Sequence, residues 1–119
     1  MTLTPTEAAA FMAKAEEMRR RAVSAGDQSY GAVIVKDGEI VGYGPSRVVT
    51  KGDPTAHAEM EAIRDAASRL KTQDLSGCTM VSTSQPCPMC ETAAYWARLD
   101  RLIHGTALKD GGRPEYRRC

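Results

Sequence analysis

The first apolar positions of the chain recur at helical spacing. Between residues 8 and 22, apolar side chains fall on one helix face, with polar and charged residues between them. Residues 4–7 (Thr-Pro-Thr-Glu) form a capping box with proline at the first helical position. The pattern predicts a helix that starts at this box and ends at residues 26–27 (Gly-Asp). Its apolar face consists of Ala8, Phe11, Met12, Ala15, Met18 and Ala22.

The next apolar positions are nearly continuous, which is typical of strands covered on both faces. Residues 31–36 and 78–83 have this composition, and residues 39–43 and 101–104 predict two further strands. Residues 37–38 (Asp-Gly) take the central positions of a tight turn between the first two strands. The pattern therefore predicts a β-hairpin after the first helix.

Two more helices are expected between the later strands. One runs from about residue 55 to residue 70, capped by Asp53 or Thr55, after a loop over residues 44–54 that is rich in glycine, proline and hydroxyl residues. The other covers residues 86–99 and has prolines in its first turn. Strands that alternate with helices of this length predict an α/β sandwich with helices on both faces of one sheet.

The length of 119 residues is that of one domain. Its 42% hydrophobic and 26% charged residues exclude a disordered or collagen-like chain. We expect a single domain over residues 1–119, with residues 105–119 as a tail that is exposed or docked on a partner. The formal net charge of +1 gives the whole chain no bias toward nucleic acid or membrane.

The four cysteines are expected to be reduced. The first residues lack a charged segment followed by an apolar run, so no secretory signal is expected, and no apolar stretch approaches the length of about 18 residues that spans a bilayer. A cytoplasmic location without membrane contact follows as an expectation, and thiols stay reduced in that compartment. Metal binding and redox chemistry therefore rank ahead of disulfides.

Cys87 and Cys90 form a Cys-x-x-Cys pair at a predicted helix start. Such a pair is either a redox dithiol or half of a zinc site. His57, at the start of the preceding helix, supplies a third ligand of the type zinc prefers. Taken singly, that histidine is more typical of an ordinary polar residue at a helix start.

A closed structural zinc site needs a fourth ligand, for which the candidates are Cys78, His104 and Cys119. None has ligand-like spacing, and Cys78 is better interpreted as a small core residue. Three protein ligands with one open position are the pattern of a catalytic zinc, which lowers the pKa of water to about 7. Glu59, two residues after His57, is then suited to move protons beside the metal.

The two motifs in this order, His-x-Glu (residues 57–59) and Pro-Cys-x-x-Cys (residues 86–90), are the signature of zinc-dependent nucleobase deaminases. The chain resembles the cytidine deaminase-like superfamily, with its strongest likeness to bacterial guanine deaminases and tRNA adenosine deaminases. Residues 31–38, 53–59, 86–90 and 95–98 carry the resemblance, which covers about residues 8–105. It implies a three-layer α/β/α sandwich around a five-stranded mixed sheet, one zinc ion per chain, and a homodimer.

The implied reaction is hydrolytic deamination. Glu59 takes a proton from water, protonates a ring nitrogen and delivers a proton to the departing ammonia, and the backbone N–H of Cys87 helps to hold the attacking oxygen. Three substrate-binding positions follow from the resemblance: Tyr30 as a wall of the base pocket, Ser46 where relatives have asparagine, and Gln85 where relatives often have glutamate. Tyr30 can equally be an ordinary tyrosine at a strand edge.

Four functions stay open on the sequence alone. A free base, with guanine first and cytosine next, is favoured by the near-neutral net charge. Adenosine-to-inosine deamination of tRNA is the alternative, and nucleic acid is therefore not excluded as a partner. A non-catalytic zinc-binding pseudo-deaminase is a third reading, against which the glutamate at position 59 argues. A redox role for the cysteine pair is the fourth. Related guanine deaminases continue beyond this length.

Overall fold

The computed structural model describes residues 3–116 and contains a five-stranded mixed sheet with helices on both faces. In chain order the elements are α1 (Pro5–Ser24), β1 (Gly31–Lys36), β2 (Glu39–Pro45), α2 (Ala58–Leu70), β3 (Cys78–Ser82), α3 (Pro88–Trp96), β4 (Arg101–His104) and β5 (Lys109–Gly112). The strand order is β2-β1-β3-β4-β5, and only β3 and β4 pair in parallel. This α/β/α arrangement confirms the expected fold class.

Alternate side chains of the central strands build the two halves of the core. Val33, Val35 and Val81 face α1, whereas Ile34 and Met80 face α2 and α3. Because both faces of β1 and β3 are buried, these strands consist mostly of apolar residues, and the hydroxyl residues of β3, Thr79 and Ser82, are buried as well. No helix among residues 3–116 is long and apolar enough to cross a membrane.

Several predicted boundaries are confirmed. The Thr4 capping box is present in full, with the backbone N–H of Glu7 donating to the Thr4 hydroxyl oxygen at 3.1 Å. The turn between β1 and β2 has Asp37 at φ 52° and Gly38 at φ 80°, the left-handed backbone that tight hairpins require. Four of the five strands lie where the hydrophobic pattern predicts them.

The start of α2 differs from the prediction. The helix begins at Ala58 and its N-cap is His57, which makes no capping hydrogen bond with its side chain. Asp53 instead accepts from the backbone N–H and the hydroxyl of Thr55, both at 2.8 Å, and so closes a local turn before the helix. The cap position is therefore occupied by a candidate metal ligand rather than by Asp53 or Thr55.

The C-terminal region contains a strand that the hydrophobic pattern does not predict. Residues Lys109–Gly112 form β5, which pairs with β4 at the edge of the sheet. The strand has no apolar side chain, so its hydrophobic pattern carries no signal. It forms by backbone pairing with β4, to which the ion pair of Arg101 and Asp110 at 2.6 Å adds a side-chain contact. Helix α3 is also shorter than expected, because Pro86 precedes it and it ends at Trp96.

Gly44→Ala is expected to destabilise the fold by about 3 kcal/mol, because a Cβ there would lie 2.0 Å from the carbonyl oxygen of Ala58 on α2. Chemical denaturation measures the change in the free energy of unfolding. Gly111→Ala on β5 is the control, since its nearest contact would be 3.3 Å away, and a loss below about 1 kcal/mol is expected there. Equal losses in the two variants would contradict close packing of β2 on α2.

Candidate metal centre and active site

Three metal-binding side chains converge where α2 and α3 begin. His57 is the N-cap of α2, Cys87 is the N-cap of α3, and Cys90 lies in the first turn of α3. Their ligand atoms all lie within 4.8 Å of one another. No other group of three such residues is close enough to hold a metal among residues 3–116. The structure therefore brings together the three residues that the sequence analysis selected as ligands.

The spacing of these atoms fits a tetrahedral zinc. The Nδ1 atom of His57 lies 3.7 Å from the Sγ atom of Cys87 and 3.6 Å from that of Cys90. Zinc–sulfur and zinc–nitrogen bonds of ordinary length at a tetrahedral angle predict a separation of about 3.6 Å. Burial, followed by the nearby Glu59 and Cys87, raises the pKa of the Cys90 thiol. A bound divalent cation would favour the deprotonated thiolate and so offset the cost of ionising Cys90 in this buried position.

Glu59 is buried beside the three ligands. Its side chain comes from the first turn of α2, it is 5% exposed, and Oε2 accepts a hydrogen bond from the Ser82 hydroxyl at 3.2 Å. Burial raises the pKa of Glu59, although hydrogen bonds from its own backbone and from Ser82 oppose this effect. A buried carboxyl group held by one hydroxyl at the edge of a cavity is suited to exchange protons with a bound molecule.

A cavity of about 250 Å³ opens over these groups. Its wall includes Tyr30 and Gln85, two of the three residues expected to contact substrate, so their role in binding stays a prediction with a consistent location. The sequence analysis missed the other two polar wall residues, Gln28 and Ser84. Gln28 lies two positions before Tyr30 and Ser84 directly precedes Gln85. The lining residues are Gln28, Tyr30, His57, Glu59, Ser84, Gln85 and Cys87.

Ser46 does not line this cavity, contrary to the expectation that it contacts substrate. Its side chain is 2% exposed, and its hydroxyl donates to the Oδ1 atom of Asp27 at 3.0 Å. In this arrangement Ser46 supports the loop after β2, and its contact with substrate stays a prediction.

Two of the three candidates for a fourth ligand are not grouped with the metal-binding side chains. Cys78 is fully buried at the start of β3, which confirms its interpretation as a core residue. His104 ends β4, and desolvation followed by the charge of Lys109 lowers its pKa. Cys119 lies outside the described residues. The described part of the chain therefore supplies three ligands and leaves one coordination position for another molecule.

Comparison with known proteins gives related enzymes that include a guanine deaminase and a tRNA-specific adenosine deaminase. The guanine deaminase of Bacillus subtilis (strain 168) is 46% identical over 101 residues, which cover 84% of this chain and 65% of that protein. The tRNA-specific adenosine deaminase of Aquifex aeolicus (strain VF5) is 40% identical over 102 residues, which cover 86% of this chain and 68% of that protein. The chain thus spans about two thirds of the length of these relatives.

Solved structures agree with this comparison. The X-ray structure of guanine deaminase from Bacillus subtilis superposes with a TM-score of 0.78 at 42% identity, covering 81% of this chain and 62% of that one. A structure from studies of A-to-I editing by tRNA:A34 deaminases gives a TM-score of 0.77 at 37% identity, covering 80% and 69%. The family described as the cytidine and deoxycytidylate deaminase zinc-binding region matches residues 5–106. This match, over the part of the chain that holds the three ligands, shows that the protein belongs to the cytidine and deoxycytidylate deaminase family.

Proposed function

We propose that this protein removes the exocyclic amino group of a free nucleobase by hydrolysis, with guanine as the first substrate to test and cytosine as the next. The observation that carries the proposal is the cavity, in which Glu59 and two of the three metal ligands lie together. Its volume of about 250 Å³ is below that of pockets for drug-sized ligands, which hold about 300–1,000 Å³. A single base is a ligand of the corresponding size.

In this mechanism His57, Cys87 and Cys90 hold the zinc. When bound, zinc supplies a Lewis acid that lowers the pKa of water. Glu59 accepts one proton of the attacking water on its carboxylate and passes it to a ring nitrogen. It then accepts the second proton of that water from the oxygen added to the ring, and delivers it to the amine as ammonia leaves. The Ser82 hydroxyl orients the carboxylate through its hydrogen bond. Water and the amine are consumed, and a carbonyl group and ammonia are formed.

The remaining groups of the site bind and orient the base. The backbone N–H of Cys87, at the N-terminus of α3, is a donor for the oxygen that attacks the ring. Tyr30 is 46% exposed at the cavity wall, where its ring offers a surface on which a planar base can stack. Gln85 offers an amide donor and acceptor to the polar edge of the base.

A second candidate function is deamination of adenosine in tRNA, and one specific observation favours it. A cavity of about 440 Å³ on the outer side of α2 is lined by five cations and two carboxylates, a local net charge of +3 in a chain whose total is +1. Such a surface suits phosphate groups. Its charged residues are Arg21, Arg47, Lys51, Arg64, Arg69, Glu61 and Asp65.

The free-base function predicts ammonia release from guanine, or failing that from cytosine, with no inosine formed in tRNA. A coupled ammonia assay on a panel of bases and a separate inosine assay on tRNA measure both reactions. Double replacement of Arg47 and Arg64 by glutamine is expected to leave base turnover within about twofold, because both side chains are about half exposed and Glu61 keeps its ion pair with Lys51 at 2.7 Å. Inosine formation without release from any base would reverse the order of the two candidates.

The assembly and location of the protein are part of the same proposal. We propose a homodimer of one-domain chains in the cytoplasm, supported by the resemblance of the sequence rather than by a contact in the fold. Sedimentation of the purified protein measures the oligomeric state.

A further inference from the structure

Asp27 accepts four hydrogen bonds although it lies outside both the ligand set and the cavity wall. It follows α1 in the turn that leads to β1. One carboxylate oxygen, Oδ1, accepts from the backbone N–H of Gln28 at 2.8 Å and from the hydroxyl of Ser46 at 3.0 Å. The other, Oδ2, accepts from the backbone N–H groups of Val49 at 3.1 Å and Thr50 at 2.8 Å. One side chain therefore joins two segments that are distant in the sequence.

The first of these segments forms part of the cavity wall. Gln28 and Tyr30, one and three residues after Asp27, both line the cavity over the zinc ligands. The segment is also tied to the opposite side by its backbone, because the N–H of Ser46 donates to the carbonyl oxygen of Tyr30 at 3.1 Å. A shift of the loop at residues 46–50 would therefore also move Gln28 and Tyr30.

The second segment leads to the metal ligands. The backbone N–H of Arg47 donates to the carbonyl oxygen of Ala56 at 2.9 Å, and Ala56 directly precedes His57. The carboxylate of Glu61 holds the same loop from the other side through Lys51, at 2.7 Å. The loop at residues 46–50 therefore lies between the wall residues and the start of α2, and Asp27 is its anchor on the wall side.

The hydrogen bonds of Asp27 differ in number and range from those of other aspartates that the structure describes. Asp53 and Asp74 each accept from a residue two positions later, which is a local turn. Asp65 and Asp100 each accept from one distant backbone N–H, that of Tyr43 and that of Gly77. Besides the bond from Gln28, Asp27 accepts three bonds from residues 19 to 23 positions away. Desolvation raises its pKa, but the backbone N–H groups of Thr50 and Gln28 outweigh this effect and hold the pKa well below the usual value. The acceptor is thus an ionised carboxylate.

We propose that Asp27 is a positioning residue for the deamination site, whose carboxylate holds residues 27–30 against residues 46–50 and so sets the places of Gln28 and Tyr30 at the cavity. The identity of the molecule positioned there rests on the proposed function. The positioning of Gln28 and Tyr30 by Asp27 does not depend on the proposed function, so experiments can contradict either one without the other.

Asp27→Asn tests the proposal with little change in shape. The amide presents N–H groups where Oδ2 accepted, so the N–H groups of Val49 and Thr50 lose their acceptor. Hydrogen–deuterium exchange is expected to become faster at residues 49–50 and at residues 28–31, with zinc content unchanged. Ser46→Ala, which removes one of the four hydrogen bonds, is expected to give a smaller change at the same residues. It also keeps the test valid if Asp27→Asn does not fold.

The second measurement is the KM and kcat for the base from which the wild-type protein releases ammonia. The KM of Asp27→Asn is expected to rise by about tenfold, because Gln28 and Tyr30 are then less firmly held at the cavity wall, with kcat within about threefold. Asp74→Asn is the matched control, because it removes an exposed carboxylate with local hydrogen bonds and should change neither value.

Each outcome tests either the positioning role of Asp27 or the proposed function. Unchanged exchange at residues 28–31 in Asp27→Asn would overturn the positioning role, as would a lower melting temperature with an unchanged KM. A larger KM change in Ser46→Ala than in Asp27→Asn would also overturn it, since the hydroxyl would then be the determinant. If wild-type protein releases ammonia from no base, the proposed function fails and the exchange data still test the positioning of the wall.

Discussion

Glu59→Gln is expected to reduce ammonia release by at least about 10³-fold while the protein keeps its zinc. The amide has nearly the same shape and can still accept from Ser82, but it cannot take a proton from water. Ammonia release and metal content are measured on the same preparation. Because the three ligand atoms belong to His57, Cys87 and Cys90, the amide should leave the metal centre intact.

Two comparison variants make this result specific. Glu16→Gln removes a carboxylate from α1 that accepts from Arg19 at 2.7 Å, and its turnover should stay within about twofold because the contribution of such an ion pair is small. Ser82→Ala should lose about tenfold, because Glu59 then lacks the hydroxyl that orients it. Undiminished activity in Glu59→Gln would exclude the proton-transfer role and would reopen the reading of the site as a non-catalytic zinc centre.

Cys90→Ala is expected to lose the zinc and, with it, all measurable turnover. Cys90 is fully buried in the first turn of α3, so no other thiol of residues 3–116 can take its place. Loss of a bound metal removes about 3 kcal/mol of stabilisation at a metal concentration of one hundred times Kd, and the melting temperature should fall by about 10 °C. Metal analysis and thermal unfolding measure the two effects.

Cys78→Ala is the matched control, because Cys78 is equally buried but lies at the start of β3. It should keep one zinc and lose about 1–2 kcal/mol of stability from the space that the sulfur filled. Thiol titration separates the remaining alternative, since a redox dithiol would react before any metal is removed. Zinc retention in Cys90→Ala, or reaction of Cys87 and Cys90 with a thiol reagent in untreated protein, located by mass spectrometry, would contradict the metal centre.

The net charge of the chain is a weaker guide to its substrate than the sequence alone suggests. A total of +1 favours a small neutral base over a polyanion. The fold, however, collects residues from α1, β2, the following loop and α2 into one cavity with a net charge of +3. These residues lie far apart along the chain, so no run of like charge in the sequence predicts the cavity.

The local features of this protein could be predicted from its sequence because short-range physics controls them. The capping box at Thr4 and the left-handed turn at Asp37 and Gly38 depend only on neighbouring residues. The apolar runs of β1 and β3 predict strands buried on both faces. The two short motifs at residues 57–59 and 86–90 likewise predict the three ligands that meet at the metal centre.

Other features were decided by contacts between distant segments. Strand β5 has no apolar pattern and forms because β4 offers an unpaired edge. Ser46, expected at the substrate, is buried with its hydroxyl donating to Asp27. The N-cap of α2 is His57, because Asp53 accepts from Thr55 in a local turn before the helix. Residue types and their spacing along the chain already select the residues that can bind zinc and move protons. The wall around them depends on tertiary contacts, because it brings together residues 28–30, 57–59 and 84–87, three segments that are distant in the sequence.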